Sequence, residues 1–476
     1  MTDLAPPPIP PARDRDFLSG LAERLDLSRR LEAWAPVRFR GDLDAKPALC
    51  LDDFSAIPFL DVPGAEEYQH RARVRAHDGD VYAAVTPPCE EYEDYCRDHL
   101  RLGRVKLLAP EAVVGGPMEV AAACLREPIF SRLVAAARAH GGLRVHPYMG
   151  IERVWELALA LAAAADAPVE VLAPPPPVTW IANDKGLFSE LVAGLLGPEW
   201  IVETRPAADA PALAAALRDL AGSHREVALK RLRCASATGN KVYASGWVRK
   251  APSSLVVEEV RRFLERTEWD GSEEVLAVAW EQTPWSPSTQ IWIPPVEAGP
   301  PILEGIYEQI LKGDEGIFVG SRPSTLPEAI HLRLGEASLR IASALQELGY
   351  VGRCSFDHLV IGDPAGEPEL RFTECNGRWG GTSIPMSLVD RLVAAPRPCY
   401  RAQDVVFDGL VGASFGEIAA CLGTELFDPG TGRGRFVLYN PGPLRDVGKI
   451  DVVAFGASAE AAEEAMLIEL PRLLGV

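Results

Sequence analysis

Short runs of apolar residues alternate with longer stretches of helical period along the first third of the chain. Ala48 to Leu51 and Val105 to Leu108 are short enough to be buried strands, whereas Leu157 to Ala165 is rich in Ala and Leu and reads as a buried helix. This alternation predicts an α/β layer of Rossmann-like build over residues 16–173. Pro174-Pro175-Pro176-Pro177 then breaks the pattern. Four prolines favour polyproline II and cannot continue a central strand or a helix, which predicts a linker over 174–178.

Beyond the prolines the rhythm changes to α+β with antiparallel character. The expected elements are a helix from Leu187 to Leu196, strands at Val227 to Arg231 and Val242 to Val248, a helix from Val256 to Arg266 and a strand from Val275 to Trp280. A longer helix is predicted from Pro327 to Leu348, with Leu332, Leu339, Ile341, Leu345 and Leu348 forming its apolar stripe and Gly349 ending it. Arg353 to Ile361 and Glu369 to Glu374 flank the turn-rich Gly362-Asp363-Pro364-Ala365-Gly366, a hairpin pattern. Residues 396–476 form a small α+β extension, with strands at Phe436 to Tyr439 and Ile450 to Phe455 and a last helix capped by Ser458.

A chain of 476 residues implies two or three domains. Residues 1–15 carry five prolines and no basic-then-apolar pattern, so they are expected to be a disordered lead-in and not a signal peptide. No apolar run is long enough for a membrane span, and a cytoplasmic location is expected. The net charge of −19, with no basic patch carrying interleaved aromatics, argues against a nucleic-acid partner. The nine cysteines contain no Cys-x-x-Cys pair, Gly-x-Gly-x-x-Gly is absent, and neither Ser245 nor Ser355 lies in Gly-x-Ser-x-Gly. Cysteine-based metal or redox frameworks, dinucleotide chemistry and serine hydrolysis are thereby disfavoured.

The hairpin carries the strongest chemical signal. Glu374, Asn376 and Arg378 alternate, so their side chains leave one face, and Asp357 on the partner strand can meet them. Two carboxylates and an amide oxygen form a hard-oxygen set suited to Mg²⁺, and the arginine beside them can clamp a phosphoryl group. A solvated polar strand face would give the same alternation. The loop Gly380-Gly381-Thr382 and the apolar neighbours Phe372 and Ile384 weigh against it.

Asp357 with Glu374-x-Asn376-x-Arg378 and Gly-Gly-Thr resembles the metal-binding end of ATP-grasp enzymes. Upstream segments fit the same order: Asn183-Asp184-Lys185 resembles the start of the grasp module, Val227-Ala-Leu-Lys230 the strand bearing the second phosphate-contacting lysine, and Cys234 to Asn240 the closing loop. Val275 to Glu281 resembles the strand leading to the adenine hinge. The whole chain is similar to the pheganomycin-type peptide ligases, on Ser286-Pro-Ser-Thr-Gln290 and Gly320-Ser-Arg-Pro-Ser324.

The resemblance implies a pre-ATP-grasp domain (16–173), an ATP-grasp module (179–395) and the extension (396–476). It implies ATP and Mg²⁺, with Mn²⁺ as a substitute ion, metal ligands Asp357, Glu374 and Asn376, and Arg378 and Lys230 stabilising the transferred phosphoryl group. Lys185, Lys230, Ser236, Thr238 and Gly239 would contact phosphates, and Glu281, Gln282 and Thr283 would meet the adenine. Lys241 is a stand-in for an expected loop lysine, and Ser288 and Gln290 would line the floor. The implied activity is ligation of a small carboxylate to an amine (an amino acid or peptide) through an acyl-phosphate. Its alternatives are a non-catalytic nucleotide-binding scaffold and a grasp enzyme with kinase-like or side-chain crosslinking chemistry. The first domain and the extension are left open between a substrate pocket and a homodimer surface.

Overall fold

The computed structural model describes residues 12–57, 62–234 and 239–476. Its first layer is a parallel sheet of β1 (Ala48–Leu51), β2 (Val81–Ala83), β3 (Lys106–Leu108), β4 (Leu143–Pro147) and β5 (Val169–Val171), in the order β3-β2-β1-β4-β5. Every residue of the central β1 is buried, as a parallel strand covered on both faces requires. The helices Ile129–His140 and Glu152–Ala165 cover the sheet through Leu133, Ala137, Trp155, Leu157 and Leu161. Among the described residues no helix is long and apolar enough to cross a membrane.

The proline run does not form a free linker. Pro176 and Pro177 open the buried helix Pro176–Asn183, where a missing N–H costs nothing because first-turn donors have no intrahelical partner. The lead-in is shorter than expected as well, because the helix Ala12–Arg24 starts inside it.

A small antiparallel sheet follows, of β6 (Thr204–Ala207), β7 (Glu226–Arg231), β8 (Asn240–Ala244) and β9 (Val275–Trp280), ordered β6-β9-β7-β8. The strand expected over Val242 to Val248 is cut short, since Ser245–Lys250 is helical. Alternation sorts the two faces. Val227, Leu229, Val275 and Ala277 pack under the helices Ala210–Leu220 and Ser253–Arg266, leaving Ala228, Lys230, Leu276, Val278 and Trp280 on the other face.

That second face looks across a cleft to a larger antiparallel sheet. It comprises β10 (Pro287–Ile293), β11 (Ile302–Lys312), β12 (Ile317–Pro323), β13 (Gly352–Ile361), β14 (Glu369–Asn376), β15 (Cys399–Val406), β16 (Phe436–Tyr439) and β17 (Lys449–Gly456). Their order is β14-β13-β10-β11-β12-β15-β17-β16, so the extension continues the same sheet. The helices Lys185–Leu196 and Glu328–Glu347 bury its back against Ile291, Cys354, Phe356 and Phe372. Tyr92 and Tyr95 from the acidic run of the first layer pack around Phe415 of the extension, so the extension also rests on the first layer.

Candidate functional site

Asp357 and Glu374 are direct cross-strand partners on β13 and β14, and Asn376 pairs with Ser355 two residues along. A bulge lies between Asp357 and His358, whose partner is Phe372, so Thr373 is the extra residue. Simple alternation would put Phe372 and Glu374 on one face. The bulge sends Phe372 into the helix-covered core and turns Glu374 to the cleft. His358 points into the core, where its Nε2 meets the Thr289 hydroxyl at 3.1 Å.

The two carboxylates differ in charge state. Burial pushes Asp357 up to about 6, and the negative charge of Glu374 adds to the rise. For Glu374 burial acts upward too, but Lys185, Lys230 and Arg378 overcome it and hold the carboxyl well below its usual range. Asn376 Nδ2 donates to Asp357 Oδ2 at 2.8 Å, while Asp357 Oδ1 is buried without a hydrogen-bond partner. An orphaned carboxylate oxygen beside a second carboxylate and an amide oxygen fits a hard divalent cation whose other ligands are water or phosphate. Among the described residues no group of three or more His, Cys, Asp and Glu could hold a metal, so a cation here needs those outside ligands.

Asn183, Asp184 and Lys185 each have a separate job. Asn183 Oδ1 accepts from Gly377 N at 3.0 Å and from Arg378 Nη1 at 2.7 Å, fixing the end of β14 and the guanidinium together. A Cβ on Gly377 would lie 2.5 Å from Asn183 Nδ2, so only glycine allows this approach. Asp184 caps the following helix by accepting from Gly186 N and Leu187 N. Lys185 is buried, reaches Glu374 at 3.2 Å and donates to the Cys234 carbonyl at 3.2 Å.

Two cavities meet at these residues. One, of about 530 Å³, lies between the two antiparallel sheets and is lined by Lys230, Trp280, Glu281, Gln282, Thr283, Leu359 and Thr373. The other, of about 490 Å³, lies between the large sheet and the first layer and is lined by Lys185, Arg378, Tyr148, Ser288, Gly239 and the loop Gly380 to Ser383. Asp357, Glu374, Gln309 and Asn240 line both. Lys230 lies near the Trp280 ring, 5.9 Å from its centroid, and burial lowers the pKa of its ammonium.

The structure thus brings Lys185, Lys230, Gly239, Glu281, Gln282, Thr283, Asp357, Glu374, Asn376 and Arg378 to one connected cleft. Ser236 and Thr238 lie outside the described residues. Two side chains have structural duties: Thr283 donates to the Val360 carbonyl at 2.6 Å, and Glu281 pairs with His224 at 3.2 Å. Lys241 lines neither cavity among the described residues and pairs with Glu315. Gln290 is fully buried and donates to Ser288 Oγ, so only Ser288 reaches the cavity floor. Trp379 is buried between the guanidinium groups of Arg75 and Arg353. Gln309 and Tyr148 are lining residues that no sequence motif marked.

The same fold occurs in solved structures. N5-carboxyaminoimidazole ribonucleotide synthetase from Thermus thermophilus superimposes with a TM-score of 0.50 at 16% identity, covering 90% of this chain and 98% of that one. The Aspergillus clavatus carboxyaminoimidazole ribonucleotide synthase complexed with ATP gives 0.53 at 10% identity, over 90% and 98% of the two chains. Biotin carboxylase from Campylobacter jejuni, in a β,γ-ATP complex, gives 0.51 at 13% identity, over 88% and 90%. Residues 69–163 match the family model of the Pre ATP-grasp domain. The fold is that of the ATP-grasp enzymes. No curated protein sequence matches the chain. The stretch that matches the Pre ATP-grasp model carries β2, β3 and β4 of the parallel sheet.

Proposed function

We propose that this protein is an ATP- and Mg²⁺-dependent ligase that joins a carboxylate to an amine through an acyl-phosphate, releasing ADP and phosphate. The observation that carries this reading is the position of Asp357 and Glu374 on the wall shared by two cavities. A nucleotide in the inter-sheet cavity would place its terminal phosphate at that wall, within reach of an acid in the other cavity. The Aspergillus and Campylobacter relatives are ATP or ATP-analogue complexes, which supports assigning the inter-sheet cavity to the nucleotide.

In this reading Asp357, Glu374 and Asn376 hold Mg²⁺, which supplies charge neutralisation at the phosphates. Lys230 sits among apolar side chains, where a cation binds an anion more strongly than in water. Lys185 ties Glu374 to the backbone at Cys234 and brings a positive charge to the phosphate path. Arg378, fixed by Asn183, faces the acid cavity and stabilises charge on the oxygens exchanged between phosphate and carboxylate. The carboxylate oxygen attacks the terminal phosphorus, the bond to ADP breaks, and the amine then displaces phosphate from the acyl carbon. Enclosure of this cavity by the first layer limits hydrolysis of the activated acid. An amino acid or small peptide is the proposed amine.

The test is isotope transfer during turnover. An acid labelled with ¹⁸O in its carboxylate should pass one labelled oxygen to each phosphate released. A phosphorylated product with unlabelled phosphate would replace this reading with a kinase.

A further inference from the structure

We propose that the cavity on the acid side has a second anion-binding wall, made by Arg71 and Lys449, that holds a substrate carboxylate remote from the reacting atoms. The inference rests on the reading of this cavity as the acyl-transfer side of the proposed ligase.

The chain carries a net charge of −19, yet the described lysines and arginines lining this cavity are Arg71, Lys185, Arg233, Arg378 and Lys449 against the acids Asp357, Glu374 and Asp404. A cation at Asp357 and Glu374 would leave Asp404 as the one described lining acid not engaged by it. An acidic protein that concentrates basic groups in one concavity selects an anionic ligand there. Lys185 and Arg378 are tied to Glu374 and Asn183 at the metal end. Arg71 and Lys449 belong to other elements, the segment Ala65–Val74 of the first layer and β17 of the extension.

Their surroundings form a built site. Asp404 and Asp451 are cross-strand partners on β15 and β17, a like-charge pairing that needs cations beside it. Arg71 Nη2 donates to Asp451 at 2.7 Å and Lys449 Nζ to Asp404 at 2.7 Å, which fixes both cations in place. The Tyr68 hydroxyl accepts a second hydrogen bond from Lys449, and the Arg71 guanidinium lies 4.1 Å from the Tyr68 ring centroid. An ammonium has three donors, so one remains on Lys449, and Arg71 Nη1 has no acceptor among the described residues. Donors held rigid by buried partners and left open toward a cavity are preorganised for a carboxylate. The carboxylate can belong to the acid substrate as its second acid group, or to the amine substrate as its own terminus.

The test is calorimetric binding to the full chain in the presence of MgADP. One arm uses α,ω-dicarboxylates from succinate to suberate against their monoamides, and the other uses dipeptides against their C-terminal amides. In at least one arm the free acid should bind about ten-fold or more tightly than its amide, the worth of one charged hydrogen bond. Lys449→Met should erase that preference while MgADP binding stays as in wild type. Arg71→Gln should act alike where it folds, and Lys449→Met decides the matter where it does not. The proposal is overturned if neither arm shows a preference, or if the preference survives Lys449→Met. Failure of wild type to bind MgADP would instead overturn the ligase reading.

Discussion

Asn183 and Arg378 are joined by a 2.7 Å hydrogen bond although they stand 195 positions apart in the chain. The same amide oxygen holds Gly377 N, so one side chain sets both the end of β14 and the aim of the guanidinium. The end of the helix Pro176–Asn183 is in this way locked to the end of β14.

Asn183→Ala should therefore weaken catalysis without emptying the nucleotide cavity. The expected result is a fall in kcat of roughly ten- to a hundred-fold, the usual range for loss of a transition-state hydrogen bond to a charged group. The KM for ATP should change by less than about three-fold, a sub-kcal effect. Steady-state kinetics with ATP varied separates the two parameters.

Lys230→Met should do the opposite. The ammonium lies deep in the inter-sheet cavity and Met keeps its length without the charge. Nucleotide affinity should fall by roughly ten- to a hundred-fold, as for a buried charged hydrogen bond. Titration with a fluorescent ATP analogue measures it.

How much of this could be read from the sequence differs from residue to residue. Asp357, Glu374, Asn376 and Arg378 were legible because side-chain alternation and a hairpin turn are local properties, and the fold brings them to one cleft. The bulge at Thr373 was not legible, though Phe372 gave a hint, since an apolar residue in phase with Glu374 cannot share its polar face. The proline run misled because a first helical turn tolerates proline as well as a linker does. Lys185 looks like a surface lysine on its own, and only the distant Glu374 and Cys234 account for its burial. Arg71, Tyr68, Asp404 and Lys449 come from three separate segments with no motif, so only the pairing of β15 with β17 and the packing of the segment Ala65–Val74 against them unite the four.

Acid should destabilise the segment that carries Tyr68 and Arg71. Burial lowers His70 from its usual 6.5 to about 4, so the folded chain keeps it neutral where an unfolded chain binds a proton. The stability it contributes is complete above about pH 6.5 and is lost as pH falls toward 4, by up to ~3 kcal/mol. His70→Gln can still meet the Thr86 hydroxyl and should flatten that part of the profile. Urea unfolding of both proteins between pH 4 and 7.5 checks this.

Metal removal should abolish turnover reversibly. Chelation with EDTA should stop ADP formation, and excess Mg²⁺ should restore it, with Mn²⁺ acting in its place. Irreversible loss after chelation would mean that the cation also holds the fold together.

The proposed ligation requires Asp357 and Glu374 to act together at the wall shared by the two cavities. Its most direct test is the initial rate of ADP release with saturating MgATP and a pool of carboxylic and amino acids, for wild type, Asp357→Asn and Glu374→Gln. Each substitution should lower the rate by about a hundred-fold or more, as loss of a group that holds the catalytic charge does. Rates within a few-fold of wild type in both variants would contradict the assignment.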